Sequence, residues 1–232
     1  MLKYNYMYQY AWLVYNIILF FIWLILFLKR KDLRKEMLLI GFFIGILGPI
    51  SEFFYKDYWR PEYAFPFLPM LEDYLFGFFI GGISAVIYTE IFSNRLIKKQ
   101  EGVLYWPMLF LILAGISILL MFNLVLGINS IYASFIAFIV AASIIWWKRP
   151  DLIKNSIFSG LFLAIMSIVF YLFYLKLYPN IIQDWWLLHN ISGVLIFGIP
   201  IEEPIWFFLW GMVGGPLYEF WQRYGLKVKT PH

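Results

Sequence analysis

No cysteine occurs among the 232 residues, and there are only two histidines, one of them at the C-terminus. Disulfides, thiolate metal sites and a cysteine nucleophile are therefore excluded, while the redox compartment stays open. Charged residues make up 14% of the chain, too few to wet the surface of a soluble domain. The net charge of +4 is carried by residues in short loops, so it is not a nucleic-acid signal. No Gly-x-Gly-x-x-Gly follows a strand pattern, which removes the usual flavin or nicotinamide fingerprint. No lysine lies in the last apolar segment, which excludes a retinal Schiff base there.

What the chain has in excess is hydrocarbon: 63% of its residues are hydrophobic and 23% aromatic, the composition of an integral membrane protein. Seven apolar segments stand out, roughly Tyr10–Leu28, Met37–Phe54, Met70–Phe92, Leu104–Phe122, Asn129–Trp147, Ser156–Leu177 and Ile199–Trp221. Each is near the ~20 residues that a helix needs to cross the hydrocarbon. The first is long enough to span, so no cleavable signal peptide is expected. One set of loops holds Lys29, Arg30, Lys31, Arg34, Lys35, Arg95, Lys98, Lys99, Lys148, Arg149, Lys154, Arg223, Lys227 and Lys229. The alternate set holds only Lys3, Lys56, Arg60 and Lys176. Positive residues stay inside, so the N-terminus is expected outside and the C-terminus in the cytoplasm.

The two halves resemble each other. Lys29-Arg30-Lys31-Asp32-Leu33 after the first segment matches Lys148-Arg149-Pro150-Asp151-Leu152 after the fifth. Aligning Glu72 with Glu202 also pairs Asp73 with Glu203, Phe78 with Phe208, Gly81 with Gly211 and Tyr88 with Tyr218. The expectation is an all-α polytopic membrane protein of seven transmembrane helices, forming one domain over residues 1–232. Two parallel three-helix repeats, about 10–92 and 129–221, are joined by a linker helix at about 104–122. Both acid pairs then lie at one depth, facing each other across a pseudo-twofold axis.

Those acids are the most informative residues. Pro69-Met70-Leu71-Glu72-Asp73 and Pro200-Ile201-Glu202-Glu203 each open an aromatic segment and are preceded by apolar residues. Carboxylates fenced by hydrocarbon are costly to ionise and tend to be functional. Adjacent residues on a helix point about 100° apart, so each pair serves two faces. Asp73 stands above Gly77, Gly81 and Ser84, and Glu203 above Phe207, Gly211 and Gly214, a face suited to close helix packing. Glu72 stands above Phe76, Phe79 and Ile83, and Glu202 above Trp206, Leu209 and Val213, a surface suited to an apolar ligand. The plain alternative is that the acids only favour positive helix N-termini. A single pair fits that equally well; two in register favour function.

Arg60, in Trp59-Arg60-Pro61-Glu62-Tyr63, is a candidate counter-ion for one acid, against an ordinary interfacial belt. His189 reads as a hydrogen-bonded loop residue, and no metal is expected. Gly41 to Gly45 and Gly77 to Gly81 are small-residue packing motifs.

The paired motifs, each leading a Phe-rich span within tandem three-helix units, resemble the membrane-integral lycopene cyclases. That is the heterodimeric or fused kind, unrelated to the flavoprotein cyclases. Pro200-Ile201-Glu202-Glu203 fits the family motif, while the first motif carries one more residue between its proline and its acids. The resemblance covers most of the chain apart from the fourth span. It implies an intramolecular lyase or isomerase that closes ionone-type end rings on a linear carotenoid. An acid protonates the terminal alkene, an internal alkene attacks the cation, and a base removes a proton. No electrons are transferred, so no cofactor is implied. Glu72, Asp73, Glu202 and Glu203 would be the acids, bases or cation stabilisers. Phe76, Phe79, Trp206 and Phe207 would shield the cation and bind the substrate. The implied partners are an apolar polyene and the lipid bilayer, with no nucleic acid, and a homo-oligomer is compatible with this. Two readings compete: a small transporter with parallel three-helix repeats, and a carotenoid- or lipid-binding subunit without catalysis.

Overall fold

A computed structural model describes residues 8–65, 69–99 and 102–228. Lys3 and Lys229, which entered the orientation count, and Pro66, Phe67 and Leu68 beside the first acid pair lie outside the described residues. The chain is mostly helical. The helices are α1 (Ala11–Lys29), α2 (Arg34–Tyr55), α3 (Pro69–Ile91), α4 (Tyr105–Leu119), α5 (Ser130–Lys148), α6 (Ile153–Leu177), α7 (Ile181–Trp185), α8 (Glu202–Gly214) and α9 (Leu217–Gln222). Short strands β1 (Asn94–Lys98), β2 (Leu195–Ile196), β3 (Ile199–Pro200) and β4 (Tyr224–Val228) interrupt them. Among the described residues, six helices are long and apolar enough to cross a membrane, α1 to α6 with their flanking turns. An integral membrane protein follows.

The burial pattern fits a bilayer. Apolar side chains such as Phe21, Ile25, Phe53, Phe110, Leu113 and Val169 are exposed, whereas Glu36, Glu72, Asp73, Asn155, Glu202, Glu203 and Glu219 are buried. In water this arrangement would be inside out; in hydrocarbon it is the stable one. α4 is the most outlying span, with Leu111 as its only buried side chain.

The segment expected as a seventh continuous span is broken. α8 stops at Gly214, and α9 begins at Leu217 after Gly215-Pro216. Proline lacks the N–H that would continue the helical ladder, so the backbone turns there. The short strands are a second departure from an all-helical expectation. β1 pairs antiparallel with β4 in a register running from Asn94–Val228 to Lys98–Tyr224, centred on Leu96–Leu226. At the other end, Trp59 and Trp186 form an isolated antiparallel bridge. Arg60 N–H donates to Trp185 O and Leu187 N–H to Tyr58 O, both at 2.8 Å. The halves are thus stitched together at both ends.

Several contacts occur twice. The Arg30 guanidinium grips Asp32 and donates to the Thr89 and Asn94 carbonyls at 3.1 and 2.7 Å. Arg149 grips Asp151 and donates to the Glu219 and Tyr224 carbonyls at the same two distances. α2 packs extensively on α3, and α6 on α8. Both crossings need glycine: a Cβ on Gly41 would stand 2.7 Å from Phe78 O, and one on Gly160 2.6 Å from Phe208 O. A Cβ on Gly211 would meet Gly160 Cα and Ser159 O at 2.7 Å. Backbone on both sides cannot yield, so Gly211→Val is expected to force α6 and α8 apart. The expected cost is ~1–3 kcal/mol, read as a lower thermal denaturation temperature in detergent. An unchanged temperature would mean that the crossing is looser than drawn.

Candidate functional site

Glu72 lies in the first turn of α3 with Asp73 next to it, and Glu202 and Glu203 open α8. All four are buried. No metal-holding cluster of three or more His, Cys, Asp or Glu exists among the described residues. Among the described residues, no salt bridge reaches any of the four carboxyls.

The two members of each pair live in different surroundings. Asp73 is clamped: Trp12 Nε1 donates to Oδ1 at 3.1 Å, and the Tyr55 and Tyr63 hydroxyls donate to Oδ2 at 2.8 and 2.9 Å. The Tyr55 and Tyr63 hydroxyl oxygens also lie against each other. Burial, then the nearby Asp73 charge, push the Tyr63 phenol pKa up, so this loop hydroxyl keeps its proton. Glu203 is clamped in the same style, by Trp186 Nε1 on Oε1 at 2.8 Å and the Tyr171 hydroxyl on Oε2 at 2.6 Å. Each clamp therefore combines indole and phenol donors on a buried carboxyl, a charge-assisted arrangement of the stronger kind.

Glu72 and Glu202 are only half-satisfied. Oε1 of Glu72 accepts the Phe65 backbone N–H at 3.2 Å. Oε1 of Glu202 accepts the Ser192 N–H at 2.9 Å and the Tyr132 hydroxyl at 3.0 Å. In both residues Oε2 is buried with no hydrogen-bond partner among the described residues. An orphaned buried oxygen costs free energy, and one at the same place in both halves calls for an explanation.

Aromatic rings from both halves meet beneath the acids. Phe76 lies 6.3 Å from Trp206 and 6.5 Å from Phe207, and it also packs on Trp12 and Tyr15. Three of the four expected lining residues thus come together. Phe79 does not join them; it is buried against Phe20 and Trp23 of α1 and against Phe78. Arg60 is exposed, and its Nε donates to Lys56 O at 3.0 Å. The partners of Asp73 are the tyrosines and the indole instead. His189 is exposed in its loop.

Sequence reading did not single out Trp12, Tyr55, Tyr63, Tyr132, Tyr171 or Trp186 as acid partners. In a chain with 17 tyrosines and 11 tryptophans, no one of them signals itself. A further buried polar set went unread: Glu36, whose two oxygens have no hydrogen-bond partner among the described residues, and Glu219, held by Asn155 at 2.9 Å.

Residues 129–221 match the family model described as lycopene cyclase. This stretch is similar to that family. It runs from the start of α5 to α9 and contains the Glu202-Glu203 motif, its clamp residues Tyr171 and Trp186, and Tyr132. The match supports a carotenoid cyclase function and implies an enzyme whose substrate is apolar. No curated protein and no solved structure matches the chain.

Proposed function

We propose that this chain is a flavin-free carotenoid cyclase that closes ionone-type rings by proton transfer at its buried carboxyls, without net redox change. The observation that carries the reading is the repeated pairing of a clamped carboxyl with a half-satisfied one at the head of α3 and of α8. Ring closure needs a group that can hold and release a proton in a dry site, and a fixed negative charge near the developing cation. Glu72 and Glu202, each with an unpartnered oxygen, suit the first role. Asp73 and Glu203, with both oxygens engaged by immobile indole or phenol donors, suit the second. Phe76, Trp206 and Phe207 offer ring faces to a carbocation.

The reading treats the halves as parallel repeats about one pseudo-twofold axis, with the fourth span as linker. The twin arginine grips, the twin glycine crossings and the strand ladder centred on Leu96–Leu226 support this, as does the coincidence of the matched stretch with the second repeat. In this arrangement the acids lie toward the outer leaflet, with the C-terminus in the cytoplasm.

Expression in a lycopene-accumulating host tests the function directly. The expected result is conversion of lycopene to a ring-bearing isomer of unchanged mass, separated by chromatography. Unconverted lycopene that co-purifies with the protein would favour a non-catalytic binding subunit. Neither conversion nor binding would return the transporter reading.

A further inference from the structure

The two half-satisfied acids differ in one respect. Glu202 receives the Tyr132 hydroxyl, and Tyr132 also lines a cavity of about 460 Å³ together with Asp57, Gly127, Asn129 and Asn190. The cavity lies at the acid end of the bundle, where the α4–α5 turn meets the loops after α2 and α7. Its polar wall is rigidly built. Asp57 accepts the Ser130 N–H at 2.8 Å, the Ser130 hydroxyl at 2.6 Å and the Asn123 amide at 3.0 Å. The Asp57 carbonyl accepts the Asn190 amide at 2.8 Å. Gly127 and Asn190 are exposed at the rim. The space opens at the surface between polar groups, where water can enter. Matching Lys29-Arg30 with Lys148-Arg149 sets Leu13 opposite Tyr132, so the first half has no corresponding hydroxyl.

We propose that Tyr132 and this cavity form a proton-exchange port through which Glu202 equilibrates with the aqueous phase. The inference rests on the cyclase reading. Tyr132 gives its hydroxyl proton to the Glu202 carboxylate and takes one from cavity water, ending as it began. The Tyr132 O–H bond breaks as the Glu202 O–H bond forms, a new Tyr132 O–H bond forms as a water O–H bond breaks, and the hydroxide left is neutralised by a proton from the aqueous phase, so no redox partner is required. The geometry suits this: one hydroxyl touches the carboxyl within the reach that proton transfer needs, and its residue lines the cavity. The port makes the halves unequal, because the Glu202 proton is renewed from solvent through a hydroxyl that has no counterpart at the matching position of the first half. Tyr132 is accordingly a positioning and relay residue, not one that touches substrate.

The test reads the ring itself, since the proton delivered to the terminal alkene stays on a ring carbon. Lipid-reconstituted protein is transferred to D2O for a variable delay, then given lycopene for a single turnover. Deuterium per ring is measured by mass spectrometry. Wild type is expected to label the ring after the shortest delay. Tyr132→Phe keeps the ring that packs on Phe135 at 5.9 Å. It is expected to lose about half or more of that early label and to recover it at long delays, the remainder entering through Glu72. Should Tyr132→Phe form no ring, Asn190→Phe leaves Tyr132 in place, fills the cavity rim and is expected to delay label in the same way. A wild-type labelling course in the variant that turns over overturns the port. A lower ring yield with unchanged label per ring does so too, because it reveals a packing role only. A wild type that forms no ring at all removes the cyclase reading and the port with it.

Discussion

Replacing Glu202 and Glu203 together by glutamine is expected to leave lycopene unconverted while the protein still reaches the membrane at normal levels. Proton transfer by a positioned side chain typically contributes ~10²–10⁴-fold, and both carboxyls of the second motif are removed at once. The amides should fit. At position 203 the amide oxygen can accept the Trp186 N–H while the amide nitrogen donates to the Tyr171 hydroxyl, preserving both contacts seen for the acid. At position 202 the carbonyl can keep the Ser192 N–H and the Tyr132 hydroxyl. Neither amide can deliver or accept the proton. If the acids merely favoured the positive end of α8, neutralising each would cost no more than ~1 kcal/mol of stability, and pigment conversion would hardly change. Normal cyclisation by the double variant, measured against the amount of membrane-inserted protein, would therefore remove the acid–base mechanism from this motif. Glu72→Gln and Asp73→Asn are expected to lower conversion in the same direction, because they neutralise the corresponding pair at the head of α3.

The sequence exposed the membrane class and the acid pairs, because both depend on composition along one stretch of chain. A run such as Ala11 to Lys29 is apolar whatever its neighbours do, and Glu202-Glu203 is conspicuous against Ile201 and Ile205. What depended on chain meeting chain was not legible. Hydropathy runs unbroken from Ile199 to Trp221, so the turn at Gly215-Pro216 leaves no dip to read, although the proline is visible in retrospect. The clamp on Asp73 draws on α1, the end of α2 and the loop before α3, and aromatic abundance hides its three members. Phe79 stands one turn along from Phe76 and looked equivalent to it, and both touch α1, yet Phe76 also reaches Trp206 and Phe207 whereas Phe79 packs on Phe20 and Trp23. The strands β1 and β4 are charged five-residue pieces with no periodic signal, and only their mutual pairing orders them. Arg60 pointed to a charge partner, whereas the structure satisfies these acids with neutral donors. In hydrocarbon, neutral donors bring fewer charges to desolvate than an ion pair does.

A shared site makes each half dependent on the other, and the connection at Gly127 offers a place to cut. Gly127 is exposed, has φ of 65° and lies between the end of the fourth span and Asn129, the cap of α5. Residues 1–127 and 128–232 expressed separately are each expected to show no cyclisation. Co-expression from two genes is expected to restore a measurable part of wild-type conversion. The physical reason is that the second fragment contains the matched stretch and two of the four acids but loses the Phe76 ring that faces Trp206 and Phe207. It also loses Trp59, which bridges to Trp186 beside the Glu203 clamp, and the whole of β1. In the bilayer the fragments retain their own spans, so they need only recover helix contacts and two short antiparallel pairings, which favours reassembly. Ring formation by residues 128–232 alone would show that one acid pair suffices. The twofold site would then be wrong even with the family chemistry intact. Inactive fragments that co-purify as a stable pair would place the requirement in the covalent link between α4 and α5, and would count equally against a site assembled by contact alone.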